Sequence, residues 1–175
     1  FGKWPETSPS LTYGAGENYP AYEVSWDDIC SAGGFLEKIN ALSPSGHSGF
    51  RLPTEAEWEY SARAGTYSLY GVDVDINEYA WHAKNSGLKT HPVGEKLSNA
   101  FGLYDMSGNV LEWCSDWYGS YNSADVIDPT GPASGFMRVL RGGACGYHQD
   151  YCRSAARHSF NSYNRRSSGG FRLAL

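Results

Sequence analysis

Cysteine and histidine are the residue types in this chain that are best suited to redox or metal chemistry. The 175 residues include four cysteines and five histidines. No two cysteines have the Cys-x-x-Cys spacing of a zinc ribbon, and the histidines show no metal-ligand spacing. Neither a nucleophile–base pattern nor a phosphate-binding glycine loop is present. The cysteines allow three full disulfide pairings and the sequence selects none; they are Cys30, Cys114, Cys145 and Cys152.

Residues 144–169 differ in composition from the rest of the chain. They contain no lysine, glutamate, methionine or tryptophan, whereas tyrosine, serine, asparagine and arginine recur. Every residue type in this segment except Gln149 can be reached from the asparagine codon AAC by changing its adenines. Tyrosine supplies a large contact area at low entropic cost, and serine, glycine and asparagine supply adaptable hydrogen bonds. The segment is therefore typical of a surface that binds a ligand without covalent chemistry.

The net charge of −5 is distributed unevenly along the chain. All lysines lie at or before Lys96, while residues 138–175 contain seven of the nine arginines and one acidic residue, Asp150. A basic segment can indicate nucleic-acid binding. These arginines are dispersed among serine, tyrosine and glycine, so we predict no nucleic-acid partner. No apolar run reaches the roughly 18 residues of a membrane span, so we expect no direct membrane insertion.

Two helices and a few short strands are predicted to position this segment. The first helix begins at the N-cap Ser25 and continues, weakened by two central glycines, to a turn at 43–46. The second begins with a capping box formed by Thr54 and Glu57 and continues to about Arg63 or Ala64, with Gly65 as its C-terminal stop. Neither a repeat nor a linker is visible, so we predict one domain over residues 1–175. Short strands are predicted at 112–118, 138–142 and 170–173.

Five motifs that occur in order resemble those of the formylglycine-generating enzyme (sulfatase-modifying factor) family. The resemblance implies an α+β protein with a variant of the C-type lectin fold: two helices, short antiparallel strands and much irregular structure. The family commonly has more chain before the segment that matches residues 22–26, so upstream residues are expected. The motifs are Arg51–Tyr60, Gly102–Trp113, Arg141–Gly143, Cys152–Ala155 and Gly170–Arg172.

The resemblance raises the hypothesis of a copper-dependent formylglycine-generating oxidase. Enzymes of the family use two cysteines five positions apart, the first lying four residues beyond the second glycine of the Gly-Gly motif. That position here is Tyr147, and Cys145 and Cys152 are seven positions apart. The resemblance therefore favours a protein that is not an enzyme and binds no copper. We expect Cys114 and Cys152 to be small buried residues.

A structural calcium ion is a further implication of the resemblance. Asp105, Gly108, Val110 and Glu112 match positions at which the family's enzymes bind Ca²⁺. Carboxylate and carbonyl oxygens are the ligands that calcium prefers. The alternative is that Asp105 caps a turn and Glu112 pairs with an arginine.

Within the family, the chain resembles most the variable proteins of diversity-generating retroelements, those of treponemes in particular. These elements substitute adenines in a C-terminal coding repeat, which matches the bias of residues 144–169. The resemblance predicts a ligand-binding protein with a sequence-diversified surface; the alternative is a family member with fixed binding specificity. The predicted contact residues are Tyr147, His148, Asp150, Tyr151, Ala156, His158, Phe160, Asn161, Tyr163, Asn164, Arg166 and Ser168.

The resemblance also implies a partner and a location. We expect an unknown protein ligand on a host cell, a phage or a neighbouring microbe. Proteins of this class are often displayed on the cell surface or secreted, sometimes through a lipid anchor, which would here lie upstream of Phe1.

Overall fold

A computed structural model of the chain describes residues 10, 12–42, 46–72, 75–121 and 124–175. These residues form an α+β fold in which most of the backbone is irregular. The α-helices are α1 (Trp26–Cys30), α2 (Phe35–Leu42), α3 (Glu55–Arg63) and α4 (Ile76–Tyr79), and a 3-10 helix spans Gln149–Cys152. The strands are β1 (Leu111–Trp117), β2 (Arg138–Arg141), β3 (His158–Phe160) and β4 (Gly169–Gly170).

The predicted first helix is divided into α1 and α2. Ser25 caps α1: its hydroxyl accepts from the Asp28 N–H at 3.0 Å, and the Asp28 carboxylate accepts from the Ser25 N–H at 2.9 Å. Helix α1 ends at Cys30, and its C-cap Ser31 is already extended. The chain then turns through Gly33, whose φ of +74° favours glycine, before α2 begins. The predicted helix is therefore interrupted between Cys30 and Phe35 rather than only weakened. The predicted turn at 43–46 includes residues 43–45, which lie outside the described part of the chain.

Helix α3 begins with the predicted capping box. The Thr54 hydroxyl accepts from the Glu57 N–H at 3.1 Å, and the Glu57 carboxylate accepts from the Thr54 N–H at 2.8 Å. The left-handed residue at the end of the helix is Ala64, with φ +46°, and Gly65 follows with φ +83°. The predicted start of α3 at the capping box and its predicted end at about Arg63 or Ala64 are both confirmed.

The four strands form one sheet in the order β3-β2-β1-β4. Strand β1 pairs antiparallel with β2, and β2 pairs antiparallel with β3. The pairing of β1 with β4 is parallel, which differs from the antiparallel arrangement that we predicted. Strand β3, helix α4 and the 3-10 helix were not predicted. β3 forms an edge of the sheet, so residues 158–160 have a strand partner on one side only.

The hydrophobic core lies on both faces of the β1–β2 pair. Leu111 and Trp113 face one cluster, whereas Cys114 faces a second cluster around Trp58. Alternate residues of a strand point to opposite faces, so β1 is buried on both sides. Burial of each large apolar side chain contributes about 1.5–3 kcal/mol. This rigid centre supports the less regular C-terminal segment.

Candidate ligand-binding surface

Two arginines attach the C-terminal segment to helix α3. Arg141 is completely buried; it donates to the Ala156 carbonyl at 2.7 Å and pairs with the Glu59 carboxylate. Arg157 donates to both Glu55 carboxylate oxygens at 2.6 and 2.7 Å. Arginine forms such bidentate pairs because its planar fork matches a carboxylate. The backbone at 156–157 is therefore fixed by charge pairs beneath the surface.

Buried residues hold the turn that carries the 3-10 helix. Cys152 and Ser154 are fully buried, and the Cys152 carbonyl accepts from the Ser107 hydroxyl at 3.0 Å. Gly143 has φ +74°, and a Cβ there would lie 2.7 Å from the Cys152 sulfur. Only glycine permits this close approach without a shift.

Five of the predicted contact residues form one continuous strip above these anchors. The rings of Tyr147, Tyr151 and His158 are mutual neighbours, with centroids 5.5–6.0 Å apart. Phe160 lies two residues after His158 on β3 and therefore on the same face. The Arg166 guanidinium lies 4.1 Å above the Phe160 ring, as in a cation–π interaction. We call these five residues the binding strip.

The strip is partly exposed and its inner side contacts the core. Tyr151 and Arg166 are exposed, whereas the other three members are half-buried. Tyr147 and Phe160 pack against the cluster that contains Trp113. The strip therefore combines solvent-facing rings with support from beneath, which limits the entropy that a ligand must remove.

The other predicted contact residues lie around the strip, with one exception. His148, Asp150 and Tyr163 are exposed, and Asn161, Asn164 and Ser168 are half-buried. The His148 ring and the Asp150 carboxylate lie 3.1 Å apart, and the Asn161 amide donates to the Tyr163 hydroxyl at 2.9 Å. Ala156 is the exception: it is buried at 9 % exposure, so its prediction as a contact residue was wrong. Its carbonyl is held inward by Arg141.

His158 lies in an unusual electrostatic environment. Burial lowers the pKa of its imidazole, a hydrogen bond with the Tyr151 backbone opposes this shift, and the nearby Arg141 cation acts in the same direction as burial. Its Nε2 atom is buried and has no hydrogen-bond partner among the described residues. The geometry therefore favours a neutral His158.

The anchoring carboxylates of α3 were not identified from the sequence. Glu55 is only 6 % exposed, and Glu59 is half-buried against Arg141. Two sequence motifs could have indicated these ion pairs: the acid-rich start of α3, and the arginines at the end of β2 and after it. Chain order alone does not show that these motifs meet.

The four cysteines are free thiols in this structure. Burial raises the pKa of Cys145 to about 11 and that of Cys152 to about 12. It also raises the pKa of Cys114, which is fully buried as predicted, as is Cys152. Reactive and metal-binding cysteines require the thiolate form, so these environments favour inert thiols.

The residues predicted to bind calcium line one cleft of about 390 Å³. One Asp105 carboxylate oxygen accepts from the Gly94 N–H at 2.8 Å, and the other is buried without a hydrogen-bond partner in the described chain. Burial raises the pKa of this carboxyl. The Glu112 carboxylate is shared between Trp58 and Arg172, which donates to both oxygens at 2.6 and 2.7 Å.

These observations test whether the cleft fits a hard cation. The unpartnered Asp105 oxygen fits, because a cation would satisfy it. The Arg172 pair bears out the alternative in which Glu112 binds an arginine, so any cation would share that carboxylate. No group of three or more histidine, cysteine, aspartate or glutamate side chains suited to a metal occurs in the described residues.

A second cavity, of about 880 Å³, lies between α3 and residues 119–121 and 126–132. Arg157 is the only residue of segment 144–169 in its lining. Its Glu55 and Glu59 carboxylates are already paired with arginines. The cavity is therefore separate from the binding strip.

Comparison with curated proteins finds relatives that include enzymes. The chain is 36% identical to the formylglycine-generating enzyme of Streptomyces coelicolor, over 90% of this chain and 52% of that protein. It is 37% identical to the formylglycine-generating enzyme of Mus musculus, over 90% of this chain and 44% of that protein. The chain thus spans about half the length of these relatives.

Comparison with solved structures confirms the predicted fold class. Treponema denticola variable protein 1 superimposes with a TM-score of 0.78 and 33% identity, covering 97% of this chain and 75% of that chain. PvdO from Pseudomonas aeruginosa superimposes with a TM-score of 0.77 and 31% identity, covering 92% and 63%. The fold is the C-type-lectin-like α+β fold of these proteins.

The resemblance inferred from the five motifs is also confirmed at the level of the family. The model of the sulfatase-modifying factor enzyme 1-like domain matches residues 3–175. The chain belongs to this family of sulfatase-modifying factor enzyme 1-like domains.

Proposed function

We propose that this chain is a non-enzymatic ligand-binding protein whose residues 144–169 form a sequence-diversified binding surface. The observation that carries the proposal is the continuous strip of Tyr147, Tyr151, His158, Phe160 and Arg166 above a buried scaffold. The same segment has the composition expected from adenine substitution, and the chain is similar to Treponema denticola variable protein 1.

The segment separates residues that support the fold from residues that are free to vary. Buried Cys152 and Ser154 alternate with exposed Tyr151, Arg153 and Ala155. Exposed substitutions usually change stability by less than about 0.5 kcal/mol, whereas buried ones cost more. A surface arranged in this way can change its ligand without losing its fold.

A codon library tests this proposal directly. At every predicted contact position the codon is replaced by an AAC codon whose two adenines are randomised. Folding of each variant is measured as the amount of protein displayed on the cell surface that resists protease. We expect most variants at the eleven non-buried contact positions to remain folded. Ala156 is the matched control within the segment, and we expect large substitutions there to abolish display. If substitutions at the exposed positions abolished display as often as substitutions at the buried Ala156, the proposal would be contradicted.

The gene's surroundings distinguish a diversified surface from a binding module with fixed specificity. We expect a near-copy of the DNA that encodes residues 144–169, differing only at adenines, beside a reverse transcriptase gene. A locus with neither feature would favour fixed specificity.

The names of the relatives favour one other candidate, a copper-dependent formylglycine-generating oxidase. The buried thiols of Cys145 and Cys152 argue against it, because a redox pair needs accessible thiolates. Incubation with Cu(I) and a cysteine-containing sulfatase peptide decides the matter. We expect no aldehyde, and aldehyde formation would replace the proposal with the oxidase.

We further propose a structural Ca²⁺ held by the Asp105 and Glu112 carboxylates and the Gly108 and Val110 carbonyls. The unpartnered Asp105 oxygen supports this site. An ion here would join residues 105–112 and leave the binding strip to the ligand.

We propose that the ligand is a protein on a cell or phage surface and that this chain acts at the cell surface or after secretion. Display would use an upstream segment. Among the described residues, no helix is long and apolar enough to cross a bilayer. Labelling of intact cells with an antibody against this chain tests the location: we expect a surface signal, and a signal only after lysis would contradict it.

A further inference from the structure

We infer that residues 67–70, which lie outside the diversified segment, form a constant part of the binding surface. The exposed side chains of Tyr67 and Leu69 would contact the same protein ligand as the binding strip. We call residues 67–70 the fixed flank. This inference rests on the proposed function and deepens it, because it assigns part of the affinity to residues that do not vary.

The backbone places the fixed flank beside the 3-10 helix that carries Tyr151. The Leu69 carbonyl accepts from the Ser154 N–H at 2.8 Å. Burial raises the pKa of the Tyr70 hydroxyl, the charge of the Asp150 carboxylate acts in the same direction, and a hydrogen bond with the Gln149 side chain opposes them. Gln149 is also the one residue of the segment that adenine substitution does not explain, as expected for a constant position that meets a constant loop.

The fixed flank is held in place by its own contacts. The Thr66 hydroxyl donates to the Arg63 carbonyl at 3.0 Å and lies 3.0 Å from the Ser68 hydroxyl. Gly71 has φ +72°, and a Cβ there would lie 1.9 Å from the Ala62 carbonyl oxygen. The loop is thus closed against the end of α3. A loop ordered before binding loses little entropy when a ligand docks.

The exposed side chains of the flank specify the chemistry of the partner. Tyr67 is fully exposed, Leu69 is 63% exposed, and Tyr151, three residues before the Ser154 that binds the flank, is 54% exposed. Exposed apolar groups near one another mark protein-binding sites, and tyrosine is common among the residues that dominate binding energy. The flank has the sequence Tyr-Ser-Leu-Tyr and carries no charged side chain, which suits a protein with an apolar patch rather than a polyanion.

Selection against a defined probe tests the inference. The chain is displayed with the predicted contact positions diversified, and binders are selected against egg-white lysozyme. Leu69→Ala and Tyr67→Ala are then introduced into several binders, and lysozyme Kd values are measured by titration. We expect about a tenfold or greater loss of affinity in most binders, which corresponds to about 1.4 kcal/mol.

Matched controls separate this effect from a general loss of exposed apolar area. Leu42, at 62% exposure, lies in α2, and Phe136, at 93%, lies before β2. We expect Leu42→Ala and Phe136→Ala to leave the Kd unchanged and all four variants to keep the melting temperature. Binders that tolerate both flank substitutions would overturn the inference and leave the proposed function standing. A library that yields no binder would overturn the proposed function and, with it, the inference.

Discussion

The arginines of the C-terminal region act either as anchors or as surface groups. Arg141 and Arg157 are paired with glutamates of α3 beneath the surface, whereas Arg166 lies exposed over Phe160. The difference between the two kinds of arginine follows from their burial. A buried charge requires partners, while an exposed one is free to serve a ligand.

Arg141 is the anchor with the largest predicted effect. Arg141→Met leaves the Ala156 carbonyl without its donor and the Glu59 carboxylate with Arg63 alone as its arginine partner among the described residues. We therefore expect a loss of about 1–3 kcal/mol in the free energy of unfolding. Chemical denaturation measures the loss. The control is Arg51→Met, since Arg51 pairs with Glu57 at the surface and exposed pairs contribute at most about 1 kcal/mol. Equal losses in the two variants would contradict the anchoring role.

His158 makes the free energy of unfolding depend on pH in the mildly acidic range. Its pKa in the folded state lies below the ordinary value of 6.5, so the unfolded chain binds a proton more readily. The contribution of neutral His158 to the free energy of unfolding is therefore fully present above about pH 6.5, and it decreases as the pH falls below that value. We expect the wild type to lose more free energy of unfolding between pH 7.5 and 5.5 than His158→Phe does.

The difference between the wild type and His158→Phe gives the pH dependence that is due to His158 alone. Burial also lowers the pKa of His82, and this contribution is common to both. A variant with the same pH dependence as the wild type would show that the ring titrates normally.

Gly143, two residues after the end of β2, lies against Cys152 of the 3-10 helix, and this close approach determines the shape of the turn between them. Gly143→Ala combines a strained positive φ with a Cβ that meets the Cys152 sulfur. We expect a loss of about 2 kcal/mol or more and displacement of Tyr151, seen as a changed tyrosine NMR spectrum. Gly146→Ala is the control, because a Cβ there meets nothing within 4 Å. A stable Gly143→Ala protein with an unchanged spectrum would refute this account.

Elements with local signals were predictable from the sequence, and elements that depend on distant partners were not. The capping box of Thr54 and Glu57 defines α3 within a few residues. Strand β3 has only three residues and forms because Arg138–Leu140 pair with it. Composition identified segment 144–169, and all of its predicted contact residues except Ala156 lie at exposed or half-buried positions. The buried position of Ala156 follows from Arg141, which lies elsewhere in the chain.

The uneven distribution of charge along the chain has a structural explanation. The acidic body supplies Glu55 and Glu59, and the arginine-rich C-terminal region supplies their partners Arg141 and Arg157. Part of the local positive charge is thereby neutralised inside the fold.

The proposed calcium ion would stabilise the whole molecule, because its cleft is lined by four separate parts of the chain. They are Pro20, residues 93–94, residues between 102 and 112, and residues 171–172. Ligand binding at about 100 times the Kd stabilises a protein by about 2.7 kcal/mol. For a chain of this size we expect calcium to raise the melting temperature by about 5–10 °C over the chelated protein.

The Asp105 carboxylate determines whether this shift belongs to the proposed site. Asp105→Asn removes the charge and retains an oxygen, so we expect the calcium-dependent shift to disappear. Asp125→Asn changes an exposed carboxylate outside the cleft and should leave the shift intact. Equal melting temperatures with calcium and with chelator would exclude the site. A shift that persists in Asp105→Asn would place the ion elsewhere; the buried oxygen would then remain without a partner, at a cost to stability of about 1–3 kcal/mol.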